Sequence, residues 1–142
     1  MSVIAIIQSN YIPWCGYFDI ISSSDKFIFL DDVQFTKNDW RNRNLIKTVS
    51  GVQWLSVPCG KSISRTIDEV EVSNQRWANT HWRTLAQNYS NAPFFREFSQ
   101  LFESFYNSWD KSMTLSATNQ SLIKMIASDI LDIECDYYTA RE

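Results

Sequence analysis

A run of apolar and mostly β-branched residues, Val3-Ile4-Ala5-Ile6-Ile7, reaches Gln8 and is broken at once by Ser9-Asn10-Tyr11-Ile12-Pro13. A run without polar alternation suits a strand of a buried parallel sheet, so Val3–Gln8 is predicted to be a central strand. Pro13 cannot donate to a sheet, yet it fits the first turn of a helix. Trp14, Phe18 and Ile21 then recur near helical spacing, and Ser22-Ser23-Ser24-Asp25 stops the helix. Lys26–Leu30 reads as a second strand, closed by Asp31-Asp32. Strand, short helix and strand within about 30 residues make a βαβ unit, whose strands lie adjacent and parallel. Ligands of such sheets sit beyond the carboxyl ends of the strands. Gln8, Asn10, Asp31, Asp32 and Gln34 all fall at that edge.

The remaining pattern completes an α/β fold: a parallel or mixed sheet opened by the βαβ unit, with a helical C-terminal half. Residues 1–142 are read as one domain. Polar Asn38–Lys47 and apolar Val52–Val57 flank the turn Thr48-Val49-Ser50-Gly51 and can form a hairpin. Pro58–Arg65 is a loop, and the alternation in Ile67–Val72 suggests an edge strand. Asn74 is placed to cap a helix reaching about Tyr89, with Trp77, Leu85 and Trp82 inward. Pro93 starts a second helix with Phe94, Phe98, Leu101, Phe102 and Phe105 on one face. A third runs from about Asn119 to Ile130, and Cys135–Thr139 reads as a final strand.

Composition narrows the function classes. A net charge of -3 supplies no excess of cations to neutralise phosphates, so nucleic acid is not an expected partner. Three scattered cysteines suggest neither a disulfide framework nor a zinc site, so no cysteine-based metal site is expected. The N-terminal apolar run lacks a basic n-region and is too short to span a bilayer. A cytoplasmic protein without membrane insertion is the expectation.

Three polar clusters carry the candidate chemistry. In the first, Gln8 and Asn10 precede a helix N-terminus whose free N–H groups suit an anion, with Trp14 and Tyr17 as stacking rings. A strand–helix joint with aromatic packing is the structural alternative. In the second, Asp31 or Asp32 can act as a base or metal ligand, with Gln34 nearby. One of the two carboxylates can equally bond its own backbone. In the third, Trp40-Arg41-Asn42-Arg43-Asn44 precedes Lys47; extended backbone puts Arg41 and Arg43 on one face, matching a phosphate or carboxylate. Ion pairing to Asp31, Asp32 or Asp39 is the alternative. His81, the sole histidine, is a candidate catalytic residue, although neither triad order nor metal spacing surrounds it and a lone helical histidine is more often a packing or surface residue. Cys15, near the same helix start, is reactive only if exposed.

Taken together, Gln8–Asp19, Phe29–Phe35, Trp40–Asn44 and Gly51–Pro58 resemble the WbqC-like protein family, with a weaker match through His81-Trp82 and Asn91–Phe95. The resemblance implies a cytoplasmic bacterial protein of O-antigen or other surface-polysaccharide biosynthesis. It implies work on a nucleotide-linked or otherwise activated sugar by a transferase-type enzyme, and it indicates no particular cofactor. The rival is a non-catalytic or degenerate partner of another polysaccharide-biosynthesis protein. Two departures stand out: Ser9 replaces a proline usual in the family, and the family usually continues further. Relative to the family, the sequence is therefore expected to be incomplete at its C-terminal end, with an apolar surface or open sheet edge near residues 130–142. A looser likeness joins the order of elements to nucleotidyltransferases with a His-x-Gly-His motif, but no histidine occupies that turn here.

Overall fold

The first strand and helix form where the sequence predicts them, in a computed structural model that describes residues 1–61 and 64–142. The order is β1 (Ile4–Ile7), α1 (Cys15–Ser22), β2 (Lys26–Phe29), β3 (Arg43–Thr48), β4 (Gly51–Ser56), α2 (Trp77–Tyr89), α3 (Phe95–Ser108), α4 (Leu115–Met125) and β5 (Asp136–Thr139). One sheet has the order β1-β2-β5, and every pair in it is parallel. Strands β3 and β4 form a separate antiparallel hairpin with Thr48 opposite Gly51. Gly51 takes a φ of 121°, a conformation that favours glycine, at the foot of that turn.

The βαβ unit is as expected, but β1 is an edge strand rather than a central one. One face of the sheet carries Phe27 and Phe29, both fully buried, with Ala5, Ile7 and Tyr137 packed beside them. Burying each Phe stabilises the fold by about 1.5–3 kcal/mol. Tyr17, Phe18 and Ile21 of α1 and Ile123 of α4 close this core. The opposite face is open: Ile4 and Ile6 are more than half exposed, and Tyr138 is exposed at the edge beside β2. Apolar surface thus reaches β5 near the C-terminus, yet its larger part lies on β1. The apolar run at the N-terminus signals a strand but cannot say how many neighbours it has.

A second core joins the hairpin to the helices through Tyr11, Phe35, Leu55, Val57, Ile67, Trp77, Tyr106, Leu115 and Leu122. Helix α4 serves both cores: Leu122 faces the second and Ile123 the first.

Several predicted boundaries move for physical reasons. Ile67–Glu69 is a 3-10 turn, not a strand, because Thr66 and Glu69 form a capping box that satisfies its start. Helix α2 starts at Trp77, since the Asn74 side chain accepts from the Arg76 N–H and holds a turn there. Helix α3 starts after Pro93, and its most buried side chain is Tyr106, while Phe94 is largely exposed. Helix α4 starts earlier than Asn119, because the Thr114 hydroxyl accepts from the Ala117 N–H. It then widens into a π-turn over Ile126–Ile130. The predicted Pro58–Arg65 loop includes residues 62 and 63, which lie outside the described residues. Among the described residues, no helix is long and apolar enough to cross a membrane.

Candidate functional site

The segment leaving β1 is held at every step. The Ser9 N–H donates to Asp31 Oδ1 at 2.8 Å, and the Tyr11 N–H donates to the Trp40 carbonyl at 3.0 Å. Asn10 Oδ1 accepts from Arg41 Nη1 at 2.6 Å. Ile12 sits at a φ of 47°, where a β-branched residue is a genuine outlier. Such strain costs on the order of 1–3 kcal/mol and persists only when its surroundings hold it. The Asn44 amide does so by donating to the Ile12 carbonyl and, at 3.4 Å, to that of Tyr11.

This pinned segment forms a cleft of about 320 Å³ lined by Asn10, Pro13, Trp14, Trp40 and Asn44. Trp14 is 65% exposed and Trp40 is 49% exposed. The Trp14 ring folds back over the first turn of α1: a Cβ on Gly16 would come within 2.1 Å of it. Helix α1 has no side-chain cap at Trp14. Of its first-turn N–H groups, that of Tyr17 donates to the Trp14 carbonyl at 3.0 Å, and neither Cys15 nor Gly16 lines this cleft. The Trp14 ring and the exposed part of Trp40, whose ring centroid lies 5.8 Å from that of Trp54, can stack on a ring, and the Asn10 NH2 can hydrogen-bond its hydroxyls; the Asn44 amide is engaged by Ile12, Tyr11 and Leu45.

The predicted site residues divide between this cleft and other places. Asn10, Trp14 and Trp40 line it, and Arg41 touches it through Asn10. Arg41 also lies 3.8 Å from Asp39, and it precedes β3, so it does not share an extended face with Arg43. Arg43 instead lays its guanidinium 4.1 Å from the Trp54 ring centroid, a cation–π contact on the hairpin. Lys47 is exposed, and its N–H donates to the Tyr89 hydroxyl.

Gln8 contributes its carbonyl to the Tyr17 hydroxyl at 3.0 Å. Tyr17 is core rather than a stacking ring, packed against Phe18 and Phe27. Burial, then the Asp31 charge, pushes its hydroxyl pKa up. Gln34 is bridged to Thr66.

Asp31 is buried and bonded on both oxygens, accepting from the Ser9 N–H, the Ser116 hydroxyl and, at 3.4 Å, the Gln120 amide. It ties the end of β1 to the start of α4. Asp32 is exposed beside a second hollow of about 210 Å³ that also includes Asp31, Asp68 and Arg141. The hydrogen bond from Arg141 is the main reason the Asp68 carboxyl stays below its usual range. The acids and the indoles therefore line different hollows.

His81 is buried in the second core, where Nδ1 meets the Tyr11 hydroxyl at 2.7 Å. That hydroxyl also meets Tyr106 at 2.6 Å. Burial drops the His81 pKa to about 4, opposed by a hydrogen bond with the Ser56 backbone. The ring is neutral at pH 7 and closes a core network away from the cleft. Cys15 is exposed at the start of α1.

Of three side chains that organise the site, Asn44 falls in the third predicted cluster without a role of its own, and Ser116 and Asn119 are absent from the expected set. Asn44 supports the strained turn, and Asn119 donates to the Arg41 carbonyl at 2.8 Å. Ser116 bonds Asp31. Ser116, Asn119 and Gln120 fall at i, i+3 and i+4, a helical stripe beside the apolar one, and that spacing is a readable signal.

These features define an α/β protein with an aromatic and amide cleft beyond the carboxyl end of its first parallel strand. A family model described as the WbqC-like protein family matches residues 8–142, and the chain belongs to that family. It is also 45% identical over 130 residues to the uncharacterized protein Rv1507c of Mycobacterium tuberculosis, a match covering 90% of this chain and 56% of that relative. The chain thus spans little more than half of that relative's length. No solved structure matches it.

Proposed function

We propose that the chain binds the sugar of a nucleotide-linked or otherwise activated sugar in the Asn10–Trp14–Trp40–Asn44 cleft, as a transferase-type enzyme of bacterial surface-polysaccharide biosynthesis working in the cytoplasm. The observation that carries the reading is the pair of exposed indoles, Trp14 and Trp40, lining one cleft with the Asn10 amide. Sugar rings present apolar C–H faces and hydroxyl edges, which suit those two kinds of surface. Arg41 uses one donor on Asn10 and, with five in all, keeps others for a phosphate.

Titration with a panel of nucleotide-sugars, followed by calorimetry and thermal shift, tests it. Binding that raises the melting temperature and is lost in Trp40→Ala supports the reading. Failure of the whole panel to bind overturns it.

A second reading, a sugar-binding partner of another biosynthetic protein, is favoured by one observation. Asp31 is occupied by structural hydrogen bonds, and Asp32 lies at a different hollow. Binding without turnover, together with co-purification of a pathway enzyme, distinguishes it.

A further inference from the structure

Between the α2–α3 pair and the wall made by Ile12 and β3 lies a cavity of about 380 Å³. Its walls are carbon, with Ile12, Ile46, Trp82, Leu85, Phe98 and Phe102 prominent. Trp82 and Phe95 stack with their planes 6° apart and their centroids 6.2 Å apart, forming a flat side. Tyr89 brings a hydroxyl, but it already accepts from the Lys47 N–H at 3.0 Å.

The walls are pinned by contacts that do not depend on filling the space. Asn44 fixes the Ile12 turn, and the Tyr89–Lys47 bond ties α2 to the hairpin. Trp77 and His81 anchor α2 in the core below. The hollow opens to solvent, with Phe94 67% and Leu45 39% exposed on its rim, so it is an apolar groove rather than an interior void, and apolar surface gathered in one such groove marks a binding site.

Its chemistry limits what can enter. A sugar, base or phosphate would lose its water and meet almost no polar partner, a costly exchange. Hydrocarbon incurs no such loss. Size then separates a ring from a chain. A cavity of about 150 Å³ accommodates benzene, and this one is more than twice as large. The lining runs from Trp82 to Tyr89 on α2 and from Phe95 to Phe102 on α3. Seven residues of helix span about 10 Å, a slot rather than a disc.

We propose that this cavity binds the aliphatic acyl chain of a small molecule. The site lies across the Ile12–Pro13 turn from the indole cleft and stands independently of the carbohydrate reading.

Decanoate titrated into the intact protein tests it, followed by calorimetry at several temperatures and by tryptophan fluorescence. Saturable one-to-one binding with a negative heat-capacity change is expected. Phe98→Trp and Ser99→Leu each fill part of the cavity. Denying room to two methylenes weakens binding by about tenfold. Trp14→Ala leaves decanoate affinity unchanged, which separates this site from the cleft. Non-saturable uptake, or full affinity retained in whichever filled variants fold, overturns the proposal. So does loss of decanoate binding in Trp14→Ala, or binding of an amphipathic helical peptide in place of decanoate.

Discussion

At Gly16 the absence of a side chain decides where a neighbour stands. A methyl group there would collide with the Trp14 ring, but that ring is exposed and can swing away. Gly16→Ala should therefore keep or gain stability, by about 0.5–1 kcal/mol for a helical position. It should also weaken ligand binding by displacing one wall of the cleft. Urea unfolding and nucleotide-sugar titration of the same variant read the two effects separately; unchanged affinity would count against Trp14 as a wall.

His81 supplies a second prediction at this scale. Its pKa is about 4 in the fold against an ordinary 6.5, because burial penalises the charged ring. As pH falls, the unfolded state takes up the proton first. The stability tied to the neutral ring is full above pH 6.5, shrinks between 6.5 and about 4, and is not reduced further below that. The whole effect is about 3 kcal/mol. Urea midpoints at pH 7 and 4.5 should separate widely in the wild type and less in His81→Gln. Equal separations in both would refute the assignment. Packing was one reading of His81 open from sequence, but the partners that hold it in the core were not legible there. Its partner Tyr11 lies 70 positions away, and the other partner of Tyr11, Tyr106, lies 95 positions from Tyr11.

Among the elements, α4 positions the site without lining the cleft. Its Ser116 holds Asp31, which holds the Ser9 N–H; its Asn119 holds the Arg41 carbonyl. Asn119→Ala leaves that carbonyl short of a donor and should cost about 1–3 kcal/mol. It should also speed amide exchange at Tyr11, whose N–H bonds the Trp40 carbonyl one residue away. Denaturation and exchange mass spectrometry check both; loss of stability with Tyr11 protection intact would make Asn119 a packing residue only. The apolar stripe of this helix was readable from its spacing. Its true start was not, because Thr114 becomes a cap only once the backbone before it turns away from helical geometry.

On the scale of the whole molecule, the parallel sheet and the hairpin do not hydrogen-bond to one another as one sheet; they meet through α4. Ile123→Ala removes a fully buried side chain from the sheet core and should destabilise the protein by about 2–5 kcal/mol. Because Leu122 on the same helix faces the other core, both should unfold together. Tryptophan fluorescence, to which Trp77, Trp82 and Trp109 of the second core contribute, and far-ultraviolet dichroism should give coincident transitions. Two separate midpoints would show that α4 does not couple the cores.

The sequence by itself determined the elements whose cause is local. Hydrophobic period, Pro13, the serine stop after α1 and the Val49-Ser50 turn each act within a few residues, and they suffice for the βαβ unit and the hairpin. The family was legible for the same reason, as ordered contiguous motifs. What converges on what was decided by tertiary structure alone. Arg41 and Arg43 parted because β3 begins between them, Asp31 was drawn under α4, and β1 became an edge. These outcomes depend on partners far along the sequence, and a periodicity carries no record of which distant segment will satisfy a given hydrogen bond or cover a given face.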